Sequence, residues 1–179
     1  MRARTILLIL TALLGATSAL ADKNDGVRAL VPPSLAEEAD DALTAALNHL
    51  SRTERLISSD PSNLERQHDL AAAFDRVGDL LAKRGMLDQA MHYYRNSLGV
   101  RLYFFDAKSN TVWQRELATN HGKLSLGYER QGRSEDALRE LTQAKEIMVA
   151  LVANAPDNTE WKRELIRYEE QASRLRAAR

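Results

Sequence analysis

Four histidines, His49, His68, His92 and His121, are the first candidates for chemistry in this chain. A helical metal site needs two such ligands three or four residues apart on one face, and no two of these have that spacing. The acidic pairs Asp40-Asp41 and Glu169-Glu170 are adjacent in sequence. On a helix they point to different parts of the surface rather than facing each other as a proton-sharing dyad. There is no G-x-S-x-G, phosphate loop or dinucleotide fingerprint. With no cysteine, disulfides, thiolate nucleophiles, Cys-ligated zinc and iron–sulfur clusters are excluded. The sequence therefore offers no catalytic residue, metal site or cofactor site, and the expectation is a binding protein, not an enzyme. Trp113 and Trp161 are expected to pack between repeats rather than stack on a ligand. The run Tyr103-Phe104-Phe105 cannot bury all three rings in one core. It is expected either to touch a partner or to cover a hairpin.

The elements that must position these side chains follow a repeat. Asn63-Leu64-Glu65-Arg66-Gln67-His68-Asp69-Leu70, Asn110-Thr111-Val112-Trp113-Gln114-Arg115-Glu116-Leu117 and Asn158-Thr159-Glu160-Trp161-Lys162-Arg163-Glu164-Leu165 align at separations of 47 and 48 residues. Gly85 and Gly132 keep the 47-residue spacing, as do Ala90 and Ala137. A fixed period in this range marks a repeat architecture. Inside it, apolar residues recur every three or four positions: Phe74, Val77 and Leu81; Trp113, Leu117, His121, Leu124 and Tyr128; Leu87, Ala90, Tyr94, Leu98 and Leu102; Ala137, Leu141, Ala144, Met148 and Leu151. That is the helical period. Gly85 and Gly132 are expected to stop helices, Ser134 to cap one, and Ser34 with Glu37 to form a capping box after Pro32-Pro33. Two kinds of helix alternate: B (35–58), A (64–84), B (87–107), A (111–131), B (134–154) and A (158–177). His121 is expected to be a packed or capped core histidine.

Charge is balanced, with 25 basic and 25 acidic residues, which excludes the strongly basic face of a nucleic-acid binder. Few glycines, prolines and aromatics favour helix over sheet. The first residues form an address. Arg2 and Arg4 precede an apolar run from Ile6 to Leu14, and Ala19-Leu20-Ala21 supplies an A-x-A cleavage site. The run is short for a bilayer span, which needs ~20 residues. The expected domains are a signal peptide (1–21), a linker (22–33) and a helical repeat domain (34–179). Localisation is expected to be exported, periplasmic if the source is Gram-negative or otherwise secreted, with no membrane span after cleavage.

The repeat resembles the tetratricopeptide repeat, whose pattern is W-x2-L-G-x2-Y, then A-x3-F, then P. Phe74-x2-Val77-Gly78-x2-Leu81 with Ala90-x3-Tyr94 carries the likeness, and so does His121-x2-Leu124-Ser125-x2-Tyr128 with Ala137-x3-Leu141. The likeness covers about residues 35–178. Gly78, Ser125 and Ser173 are the small residues expected to let A helices approach their neighbours. Leu102 and Val149 stand where the family has proline, and the period exceeds the usual ~34 residues. The chain thus resembles a long-helix variant, each helix longer by roughly 10 Å at ~1.5 Å per residue.

The resemblance implies an all-α, right-handed superhelix of about six antiparallel helices. It also implies a concave face, lined by the A helices, that binds a protein or peptide. Carried over, the groove positions are His68, Ala72, Asp75, Asp79 and Lys83, then Arg115, Thr119, Gly122, Leu126 and Arg130, then Arg163, Arg167, Glu170 and Arg174. The first wall is acidic and the others mostly basic. The partner expected is one with acidic segments or a C-terminal carboxylate, and Arg115, Arg163 and Arg167 lie off the apolar stripe as a basic strip. The competing expectation is that these charges are only solvated, or pair with one another across adjacent helices. Alternatives to an exported scaffold are a self-assembling envelope protein, joined as a homo-oligomer through its terminal half-repeats, and an envelope hydrolase.

Overall fold

The computed structural model describes residues 33–103 and 110–178, with side chains described from Asp40 onward. All of the regular structure in these residues is helical: α1 (Pro33–Ser59), α2 (Leu64–Lys83), α3 (Leu87–Tyr103), α4 (Thr111–Arg130), α5 (Ser134–Asn154) and α6 (Thr159–Ala177). The chain is all-α, as its composition and period imply. It divides into two compact units, 1–44 and 45–179, with the boundary inside α1. Of the first unit, the described part is the helical segment 33–44; the second carries the repeats. No helix among the described residues is long and apolar enough to cross a membrane. The expected signal peptide, residues 22–32 of the expected linker, and Phe104 and Phe105 lie outside the described residues; Pro33, the last residue of that linker, belongs to α1.

Local chemistry starts and stops these helices. The three repeat-marking asparagines are N-caps, a role the period alone did not assign. The Asn63 side chain accepts from the Arg66 N–H, Asn110 from those of Val112 and Trp113, and Asn158 from that of Trp161. Each cap satisfies orphan donors of a first turn, which contributes ~1 kcal/mol. The stops are Gly85 and Gly132, at φ 75° and 72°. Around each, paired backbone bonds close the helix: Gly85 N–H to Ala82 and Met86 N–H to Leu81, then Gly132 N–H to Glu129 and Arg133 N–H to Tyr128. This is the glycine-terminated C-cap in which the left-handed conformation costs little.

Two expected caps differ. Ser134 is the first residue of α5 and Arg133 precedes it without a side-chain cap bond; its guanidinium reaches Asp136 instead. Pro33 opens α1, one residue ahead of the Ser34 expected to cap it. A proline is tolerated at a first helical position because its missing N–H has no partner there.

Helices α2 and α3 pack as one antiparallel pair and α4 and α5 as the next, with α3 against α4 and α5 against α6. Phe74, Val77, Leu81, Leu117, Leu124, Ala90, Tyr94 and the Ala137–Leu151 series are buried as their spacing requires. Ala118, Ala144, Met148 and Leu151 form one core cluster under Trp161, Leu165 and Tyr168. Burying each Leu or Met there stabilises the fold by about 1.5–3 kcal/mol. Close approach is real at two glycines. A Cβ on Gly78 would meet the Tyr94 ring at 2.6 Å, and one on Gly122 the Tyr168 ring at 2.7 Å. Ser125 is fully buried in the same way. Ser173 is exposed, because no B helix follows α6 among the described residues. Leu102, expected on the apolar face of α3, is half exposed, as is Val149 at the matching place in α5.

Candidate functional site

The A helices α2, α4 and α6 are tied side to side by polar rungs that keep the repeat's register. At the first rung His68 Nε2 on α2 lies 2.7 Å from Glu116 Oε2 on α4. The same positions one repeat on are Arg115 and Glu164, and Arg115 Nε donates to Glu164 at 3.0 Å. Arg115 also reaches Glu160 at 2.5 Å. At the middle rung Asn120 donates to Asp75 at 2.8 Å. Farther along, Lys123 donates to Asp79 at 3.0 Å, and Gln171 donates to Glu129 at 2.7 Å. Asp79 and Arg115 are thus ion-paired across adjacent A helices, whereas Arg163 and Arg167 are exposed and enter no ion pair among the described residues.

Between α2 and α4 lies a cleft of about 480 Å³. Asp75, Asp79, Arg115 and Thr119 line it, together with Ala72, Arg76, Arg101, Thr111, Val112, Glu116, Lys123 and Trp161. Arg101 comes from a B helix. Its guanidinium is nearly enclosed, 2.9 Å from Asp75 and 3.4 Å from Glu116. Its Nε, and Asn120 Oδ1, are buried without a hydrogen-bond partner. Arg76 stands exposed at the rim. Val112, 58% exposed, and Trp161 form an apolar wall.

Burial is the largest influence on Asp75, Tyr94 and Tyr168. It pushes the Asp75 carboxyl above its ordinary value, against the pull of Arg101 and Lys123 and hydrogen bonds from Ser97 and Asn120. Burial, then the bond to Asp79, raises the Tyr94 phenol; burial, then Glu164, raises that of Tyr168. Both remain donors at neutral pH. The bond to Glu164 pushes the Arg115 guanidinium up, so it is a permanent cation.

The groove positions divide into four groups. Ala72, Asp75, Asp79, Arg115 and Thr119 come together in the cleft, and Gly122 is buried against Tyr168. His68 is spent on Glu116 and stacks on Trp113 at 5.5 Å, which is the inter-repeat packing expected of that tryptophan. Lys83, Leu126 and Arg130 are exposed and do not line the cleft; nor do Arg163, Arg167, Glu170 and Arg174, which are exposed on α6. Arg115 is held by α6 carboxylates, so it and Arg163 are not chemically equivalent despite their equivalent positions. His121 is the packed core histidine expected, buried with Nδ1 2.7 Å from Glu140. The sequence reading missed Arg101, Glu116, Lys123 and Glu164. The signal available for Glu116, Lys123 and Glu164 was opposite charge recurring at separations of 44 to 49 residues; Arg101, 26 residues from Asp75, carried none of it.

No family model matches the sequence, and no curated protein matches it.

Proposed function

We propose that this chain is an exported scaffold of the long-helix tetratricopeptide kind, a right-handed superhelix that takes a partner segment in the cleft between α2 and α4. The observation that carries the reading is the cleft's division of labour. Its deep charges are already neutralised by Arg101–Asp75, Lys123–Asp79 and Arg115–Glu164. Its open side offers Arg76, an exposed cation in no ion pair among the described residues, beside the apolar wall of Val112 and Trp161. A peptide carboxylate on Arg76 with an apolar side chain on Val112 and Trp161 fits that chemistry. An arginine fork grips a carboxylate through two parallel hydrogen bonds.

A photocrosslinking residue at Ala72 in the cleft, compared with one at Arg139 on the exposed side of α5, tests this in the native compartment. The expected result is a discrete partner adduct at Ala72, lost in Arg76→Glu. Equal adducts at both positions, or none at Ala72, would remove the cleft from consideration. The intact mass of the recovered protein checks export, which requires a chain beginning at Asp22.

A further inference from the structure

The rungs between A helices repeat, and a repeating rung has two ends. His68, Arg115 and Arg163 occupy one position of the period, and Asp69, Glu116 and Glu164 occupy another. His68 meets Glu116 and Arg115 meets Glu164. Arg163 on α6 is exposed and pairs with no carboxylate of the described residues, and Asp69 on α2 is exposed and pairs with no base of them. Arg115 also takes Glu160, whose place in α2 is held by Glu65, again exposed. The outer side of α6 thus holds the donor, and the outer side of α2 both acceptors, of the contact already made between α4 and α6.

The burial pattern agrees. Ile166 is 50% exposed on α6, whereas its counterparts Ala71 and Ala118 are 1% and 0% exposed. In the repeat the following B helix and the next A helix together cover this position, as Ala144 and Met148 of α5 and Tyr168 of α6 cover Ala118, whereas the larger, more apolar Ile166 is left on the surface. Farther along, Lys123 acts on Asp75 as well as Asp79. By the same register Arg76 of an arriving chain would face Glu170 and Arg174 together, which cancel. Charge complementarity at the first rung is therefore not undone at the third.

We infer that α6 docks on α2 of a second copy, with Arg163 between Glu65 and Asp69 of that copy and Ile166 covered. The contact joins different surfaces of the two chains, so it is heterologous and propagates head to tail unless a ring closes. It brings Arg76, at the cleft rim, against α6 of the other copy, but Arg163, Glu65 and Asp69 do not line the cleft, so reversing them reads docking separately from what the cleft binds.

Complementary charge reversal tests this with the full protein by sedimentation velocity over a concentration series. The wild type is expected to associate reversibly, and added salt to weaken the association, since rim charges are screened over ~8–10 Å. Arg163→Glu alone, or Glu65→Arg with Asp69→Arg, should each weaken it by more than about tenfold, because like charges then meet. Mixing the two variants should restore it, as each supplies a compatible end to the other. Circular dichroism of each variant alone separates lost docking from lost fold. A wild type monomeric up to ~1 mM would overturn the inference. So would association indifferent to either reversal, or a mixture of folded variants that stays apart.

Discussion

Glu164, buried on α6, accepts the Arg115 guanidinium of α4 at 3.0 Å on one carboxylate oxygen and the Thr119 hydroxyl at 3.1 Å on the other. The carboxylate is almost wholly enclosed, while Arg115 is about one-third exposed. Removing Arg115 therefore strands a buried anion that keeps only neutral donors, Thr119 and Tyr168. Arg115→Ala should destabilise the protein by about 1–3 kcal/mol. Arg163→Ala, at the same repeat position with no such partner, should stay within ~0.5 kcal/mol of wild type. Urea denaturation at dilute concentration distinguishes the two. Equal costs would mean that repeat position, rather than the Glu164 contact, sets the effect.

A second prediction concerns Asp75. Its folded carboxyl is raised above the ordinary aspartate value by burial, so the folded state holds a proton more tightly than the unfolded one. The stability linked to this group is present below the unfolded value and is lost as pH rises through the folded one. Asp75→Asn removes that linkage. The stability difference, wild type minus variant, should therefore shrink as pH is raised from about 3.5 to about 7. A difference that grows with pH would mean that the Arg101 and Lys123 attractions outweigh burial.

The glycines inside helices separate rigid from yielding neighbours. A Cβ on Gly78 would run into the Tyr94 ring, whose hydroxyl is tied to Asp79 at 2.9 Å. A Cβ on Gly127 would meet the Sδ of Met91 at 2.6 Å. The thioether chain is unbranched and moves aside more easily than a tethered ring. Gly78→Ala should cost about 1–3 kcal/mol through overpacking. Gly127→Ala should be close to neutral, since alanine's gain in helix propensity over glycine, ~1 kcal/mol, offsets part of the crowding. Thermal melts of both variants check the order, and a costlier Gly127→Ala would refute it.

Much of this fold could be read from the sequence because its signals are local or periodic. The apolar spacing of Ala137, Leu141, Ala144, Met148 and Leu151 gave α5 its buried face, and Gly85 and Gly132 marked helix ends through a backbone requirement. The site was less legible. The positions Asp75, Asp79, Arg115 and Thr119 came from the repeat register, but Arg101 entered the cleft from a B helix, which no A-helix pattern contains. Nor does residue type show that Arg115 is occupied and Arg163 open. That distinction is made by α6 lying beside α4, through contacts 45 and 49 residues distant in the chain. Leu102 shows the converse limit: it continues the helical spacing of α3, yet by its place in the chain it lies beyond the covered face.

The register itself is tested most sharply at Ala90 and Ala137, both fully buried. Ala137 sits in a cluster with Leu141, Ala172 and Leu175, where α5 meets α6. An arginine there must either bury a guanidinium with no carboxylate placed for it or push the two helices apart. Either route should exceed about 4 kcal/mol, a large share of the ~5–15 kcal/mol by which a domain is stable. Ala137→Arg and Ala90→Arg should therefore lose the cooperative unfolding transition. Leu102→Arg, on a side chain 51% exposed, should keep it with nearly unchanged midpoint. Helicity followed by circular dichroism through a urea titration reads both outcomes, and a cooperative transition retained in Ala137→Arg would place this position outside the helix–helix contact.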